Sequence, residues 1–420
     1  MGKDSTLDSK TSNKVDYYAI LPDKAPGSAR KAGGKKLPKL FQPLKVKNLT
    51  LPNRIGLSPM CTYSANFNLE ATPFHFAHYG SFFTRGPGLA FVESTAVNKK
   101  GALSPHDLGI WTDEQARKLK EIVDFAHVHR QLVALQLGHG GRKASGQPLF
   151  IHLEEIADKS IGGWPEEVVG PSAVQYRPNG NYLTPHELSK EEIKQIIEDF
   201  GSAARRAVEI AGFDIVEIHG AHGYLICEFL SAVSNKRKDE YGGSFENRIR
   251  FLLEIIDEVR ANIPKEVPLL LRISASENTD DDPDAWRIDD SEKLAKIVVE
   301  RSVDIIDISS GGNNYKQSAR GAPKAFHKDL AKAVKKAVGN SALVACVGGL
   351  NSGRLTNELM EEGYFDLGLV GRAYLNNPGL HLDWAKELDV DMNRIPQYDW
   401  PVHPKKEGIL ELIKRQDTKL

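Results

Sequence analysis

The chain has 420 residues, with 55 Lys and Arg against 56 Asp and Glu, for a formal net charge of −1. That balance lacks the basic footprint of a general nucleic-acid binder. A content of 40% hydrophobic and 26% charged residues excludes an intrinsically disordered chain. Three scattered cysteines (Cys61, Cys227, Cys346) exclude a disulfide scaffold and leave no Cys-x-x-Cys pair for zinc or an iron–sulfur cluster.

Residues 1–37 are predicted to be a flexible basic arm, carrying eight Lys or Arg against four Asp. Its start, MGKDSTLDSK, has no apolar h-region, and no run of about 18 apolar residues is available to span a bilayer. The expectation is a cytoplasmic protein with neither a membrane nor a nucleic-acid partner. Only Tyr17-Tyr18-Ala19-Ile20-Leu21 gives the arm an apolar knot that can dock.

From Leu40 onward short β-rich runs alternate with helical patterns. The runs are Ile55–Met60, Leu89–Thr95, Leu132–Leu137, Asp214–His219, Pro268–Ile273, Asp304–Ser309, Ala342–Val347 and Leu367–Gly371. Near-continuous apolar strands are those of a parallel sheet covered by helices, and eight such units predict a closed α/β (β/α)8 TIM barrel over residues 38–378. Thr112 with Gln115, and Ser189 with Glu192, form capping-box patterns ahead of apolar stripes. Phe245 to Asn262 carries one stripe, and Gly212 and Gly363 are helix stops. Ser145 to Pro185, between the third and fourth strands, is rich in Gly and Pro and reads as an excursion over the barrel mouth. Residues 379–420 form a tail that either folds back or reaches a neighbouring subunit, which leaves a homo-oligomer open.

Reactive groups in such a barrel lie at the C-terminal ends of the strands. The first strand ends in Ser58-Pro59-Met60-Cys61, with Tyr63 just after, and the second at Ser94. Gln136 and His139 end the third, and Arg272 places a permanent positive charge at the fifth. Gly348, Gly349, Gly371 and Arg372 end the seventh and eighth, where such barrels commonly cradle phosphate. At the fourth, His219 and His222 with Tyr224 combine two donors for one oxyanion with a phenolic proton source. The competing readings are a metal-dependent hydrolase or lyase using His139, His219 and His222, a glycosidase using Glu93 and Glu217, and a non-catalytic barrel. The strand ends lack the carboxylates that the first two need.

Four stretches carry a resemblance. Leu51-Pro-Asn-Arg-Ile-Gly-Leu-Ser-Pro-Met-Cys61, Gln136-Leu-Gly-His-Gly-Gly-Arg-Lys143, His219-Gly-Ala-His-Gly-Tyr-Leu225 and Asp239-Glu-Tyr-Gly-Gly-Ser-Phe-Glu-Asn-Arg248 resemble the Old Yellow Enzyme family of FMN-dependent ene-reductases. Cys61 after Pro59-Met60 is similar to the bacterial "thermophilic-like" branch. The resemblance implies FMN, with NADPH or NADH as reductant and a small enone or enal as substrate. It implies that Ser58, Pro59, Met60, Cys61 and Ser94 line the flavin, and that Gln136 and Arg272 bind its pyrimidine edge. Gly348, Gly349, Gly371 and Arg372 would hold the phosphate. His219 and His222 would bind the substrate carbonyl, Tyr224 would protonate the α-carbon, and Tyr63 would orient substrate. A flavin barrel without NAD(P)H turnover is the alternative within the same fold. Where several members of this branch place an arginine after a Gln-Tyr pair, this chain reads Gln397-Tyr398-Asp399-Trp400-Pro401.

Overall fold

The computed structural model describes residues 22–31, 36–152, 155–178, 180–279, 281–317 and 324–403. Eight parallel strands close a barrel: β1 (Ile55–Leu57), β2 (Leu89–Ala96), β3 (Val133–Gly138), β4 (Ile215–Gly220), β5 (Leu269–Ser274), β6 (Ile305–Ser309), β7 (Leu343–Val347) and β8 (Leu367–Val370). Each strand pairs with the next in the chain, and β8 pairs with β1. This is the (β/α)8 barrel expected from the sequence. β1 stops short of Met60, since Pro59 has no N–H to give a ladder.

Helices α1 (Pro73–Phe83), α2 (Asp113–Val128), α3 (Lys190–Arg205), α4 (Phe245–Asn262), α5 (Ile288–Glu300), α6 (Lys328–Val338) and α7 (Gly353–Glu361) follow strands β1 to β7 in turn. Both expected capping boxes are present: Thr112 with Gln115 starts α2, and Ser189 with Glu192 starts α3. Helix α3 runs on through a π turn, Arg206–Ala211, before Gly212 ends it at φ 85°.

The strands alternate with period two, which separates two cores. Ala90, Val92, Leu135, Val216, Ile218, Leu271 and Ile308 pack outward with the helices. Leu89, Phe91, Ala134, Ile215, Leu270, Ile305 and Leu367 form an inner cluster with Leu44, Val46 and Leu51. Those last three belong to a hairpin of two short strands, Leu44–Val46 and Leu49–Leu51, which plugs the N-terminal end of the barrel. The C-terminal end is left for chemistry. In the outer core the Phe251 ring lies 4.2 Å from that of Phe229, and both are fully buried. Phe251→Ala is expected to cost about 3–5 kcal/mol through lost contacts and a cavity, read as a lower urea unfolding midpoint.

The described parts of the two chain ends meet each other. Within the basic arm assigned to residues 1–37, Ala29–Lys31 pairs antiparallel with Asp391–Met392 of the tail. Arg30 binds Asp399 at 2.7 Å and Asn393 at 2.9 Å, and Arg130 donates to the Pro22 carbonyl at 3.0 Å. Gly27, at φ 80°, passes so close to Gly86 that a Cβ would sit 1.7 Å from its carbonyl oxygen. Residues 22–31 are thus held to the barrel by paired backbone and a buried close approach, which composition does not reveal. The tail folds back through a helix, α8 (Leu380–Glu387). The Tyr17–Leu21 knot lies outside the described residues.

Candidate active site

Period-two alternation carries each inward row from apolar to polar. After Ala134, Ile215, Leu270 and Ile305 come Gln136, Glu217, Arg272 and Asp307, and one step higher His219, Ser274 and Ser309. Gln136 Nε2 donates to Glu217 Oε1 at 2.7 Å. Arg272 Nε and one terminal nitrogen both reach Asp307 Oδ2 at 2.5 Å. Its guanidinium also donates to Ser58 Oγ at 3.0 Å, and Glu217 Oε1 lies 4.0 Å away. Burial opposes the Arg272 charge, yet Asp307 and Glu217 more than offset it and hold the guanidinium charged. Burial lifts the Glu217 carboxyl to about 8 against the pull of Arg272. The closer carboxylate is that of Asp307, a residue the sequence reading does not name. Alternation along β6 puts Ile305, Asp307 and Ser309 on one face, but the pairing with Arg272 comes from the register of β5 on β6.

A second buried carboxylate shapes the loop after β1. Glu93 accepts from the Thr62 backbone N at 2.9 Å, from the Thr62 hydroxyl and from Tyr79 Oη at 2.9 Å. Burial raises it to about 7, opposed by these donors. It thereby anchors the turn that carries Cys61 and Tyr63, the latter at a left-handed φ of 52°. Burial, with Asp107 and Glu93 nearby, pushes the Cys61 thiol well up, so it stays protonated. Glu93 is taken up by the Thr62 and Tyr79 donors, whereas Glu217 accepts from Gln136 through Oε1 and keeps Oε2 buried with no protein partner.

At the end of β4 the His219 and His222 rings meet edge-on with centroids 5.1 Å apart, and Tyr224 lies 5.2 Å from His219 and 6.4 Å from His222. The bend is enforced by His222 at φ 61°, whose backbone N–H donates to Ser274 Oγ at 2.9 Å. Lys143 Nζ grips the His222 carbonyl at 2.5 Å and the Gly312 carbonyl at 2.8 Å, and stands 4.9 Å over the Tyr224 ring. His222 Nε2 contacts Ser309 Oγ at 2.6 Å and its Nδ1 contacts His219 Nε2 at 3.4 Å. His219 Nδ1 is buried with no protein partner. Burial holds His222 down to about 3, with Arg272, Lys143 and His327 adding to the effect, and holds His219 well below its usual range, with His222, Arg272 and Lys143 adding. Burial pushes the Tyr224 phenol far above 10.

The remaining candidates fall around this centre. Ser94 sits on β2 against Gly138, where a Cβ would approach its hydroxyl to 2.6 Å and the His219 Cβ to 3.6 Å. Gly348 and Gly349 take φ 108° and 70°, and a Cβ on Gly348 would strike the Phe326 ring at 2.7 Å. Gly371 faces Met60 Sδ, and Arg372 is exposed after β8. His139 stands apart from the histidine pair: its Nδ1 accepts from the Gly141 backbone, and its ring packs against Gly101. Among the described residues no group of three or more His, Cys, Asp or Glu side chains could hold a metal ion. Trp164, in the excursion, is buried with Leu69, Ala96 and Ala102, so it anchors that segment.

Residues 39–390 match the model of the NADH:flavin oxidoreductase / NADH oxidase family. The chain belongs to that family, the Old Yellow Enzyme group. An NADH:flavin oxidoreductase of Gibberella zeae is 43% identical over 402 residues, covering 94% of this chain and 95% of its own. An NADPH dehydrogenase of Bacillus subtilis is 39% identical over 364 residues, covering 86% of this chain and 98% of its own. Among solved structures, morphinone reductase superposes with a TM-score of 0.67 at 27% identity, covering 85% of this chain and 91% of that one. This member of the Old Yellow Enzyme group is an NAD(P)H-dependent flavin oxidoreductase whose cofactor is FMN. No helix among its described residues is long and apolar enough to cross a membrane.

Proposed function

We propose that this chain reduces the carbon–carbon double bond of α,β-unsaturated carbonyl compounds, with Tyr224 delivering the proton to the α-carbon. The observation that carries this is the pair of neutral imidazoles, His219 and His222, set edge-on beside a protonated phenol at one strand end. FMN, when bound and reduced by NADPH or NADH, supplies the hydride. The residues present suit that group. Gln136 and the buried Arg272 offer an amide and a cation to the pyrimidine edge, with Ser58 alongside. Pro59, Met60, Cys61 and Ser94 would wall the ring, and Gly348, Gly349, Gly371 and Arg372 would hold the phosphate.

His219 and His222 hold the substrate's carbonyl oxygen by N–H donation as it gains negative charge. On His222 the Ser309 hydroxyl engages Nε2 at 2.6 Å, which leaves Nδ1, beside His219 Nε2, to face that oxygen. Tyr63 orients the substrate from the opposite wall. Anaerobic turnover of cyclohexenone with NADPH should yield the saturated ketone by gas chromatography. Nicotinamide oxidation that proceeds only with oxygen and leaves the enone intact would overturn the reading.

The titrations set the pH behaviour. A depressed histidine pKa keeps the ring neutral far below pH 6.5, and a raised phenol keeps its proton well above pH 9. The rate of the enone half-reaction is therefore expected to show no histidine inflection between about pH 5 and pH 8, checked by stopped-flow reoxidation.

A further inference from the structure

The excursion after β3 carries a feature that the chemistry above does not use. Its tip is a turn closed by Ile151 N to Pro148 O at 2.8 Å and His152 N to Pro148 O at 3.1 Å. The stem is tied by Gln147 N to Glu155 O at 2.8 Å and Ala157 N to Ser145 O at 2.7 Å. On this tip Leu149, Phe150 and Ile151 are 55%, 73% and 60% exposed. Three consecutive apolar side chains held in water on a braced turn mark a surface built to cover something apolar.

The tip is continuous with the site. The Phe150 ring meets Tyr63 edge-on at 5.9 Å, and Tyr63 follows Cys61 on the loop after β1. A cation stands on Tyr224 itself, since Lys143 Nζ lies 4.9 Å over its ring and 4.8 Å over that of Tyr176. Toward Tyr63 and Phe150 an apolar group leaving the reacting carbons meets an aromatic and aliphatic wall. Resting on the ene-reductase reading, we propose that this tip is the wall of an apolar subsite, and that the substrates are enones bearing an extended apolar tail that the tip covers.

The test is a homologous series of straight-chain alk-3-en-2-ones that differ only in tail length, compared in the FMN-loaded wild-type protein and in Phe150→Ser. Each methylene covered should raise kcat/KM about fourfold in the wild type, and Phe150→Ser should flatten that slope. A slope absent from the wild type, or unchanged in the variant, overturns the subsite. Should Phe150→Ser instead turn a dimer into a monomer in sedimentation with the slope intact, the tip serves a second copy and the subsite falls. Should no member of the series be reduced while NADPH is still oxidised, the ene-reductase reading falls. The subsite is then judged from dissociation constants of the same compounds, read by perturbation of the flavin spectrum. A tail-length slope there supports it, and a flat series overturns it.

Discussion

Tyr224→Phe is expected to slow the reaction of reduced enzyme with a weakly activated enone by about a hundredfold or more, the usual worth of a positioned general acid. The loss should be far smaller for reduction of the flavin by NADPH, which needs no proton at the substrate carbon. The phenol stands 5.2 Å from His219, ring to ring, and burial keeps its proton in place. Its ring also lies beneath the Lys143 ammonium, and phenylalanine preserves that face. Stopped-flow measurement of both half-reactions separates the two effects. Equal losses in both would remove Tyr224 from the role of proton donor. A strongly activated alkene, whose anion survives long enough to take a proton from water, should be much less affected.

Arg272→Met is expected to be the most damaging single change in the barrel interior. The guanidinium neutralises Asp307 through two contacts at 2.5 Å, with Glu217 4.0 Å away, and all three side chains are almost fully buried. Removing the cation leaves an uncompensated carboxylate in a medium that solvates it poorly, at a cost of about 3–5 kcal/mol. The double variant Arg272→Met with Asp307→Asn should recover part of that loss in urea denaturation, because it removes the stranded charge with its partner. It should not recover FMN affinity, since the donor toward the pyrimidine edge is gone. In any protein that still binds FMN, the midpoint potential should fall, because the reduced flavin's negative charge has lost a nearby cation. A single variant that denatures like the wild type would contradict the pairing.

The barrel itself was legible because its signals are local. Eight apolar runs, two capping boxes and the stripe of Phe245–Asn262 each describe a segment that decides its own structure, and each appears within a residue of its expected bounds except the first strand, which ends three residues before Met60. Strand ends then put Gln136, Arg272, His219, His222 and Tyr224 at one end of the barrel without further information. Less legible were partners brought together by closure. Asp307 and Arg272 are adjacent only because β5 and β6 pair with those two residues in register. Glu93, which invites reading as a reactive carboxylate, is turned instead into an anchor for Thr62 by contacts from α1 and the loop after β1.

What the sequence determined alone was the alternation of strand and helix, the count of eight, and the chemical types gathered at the strand ends, since periodicity and capping act over a few residues. Only the tertiary structure decided which carboxylate neutralises Arg272, that the segment around Arg30 is bound to the tail at Asp399, and that the apolar tip at Phe150 stands beside Tyr63. Each of these joins residues far apart in the chain. Their burial and charge compensation come into being when the barrel closes, and no local pattern encodes them.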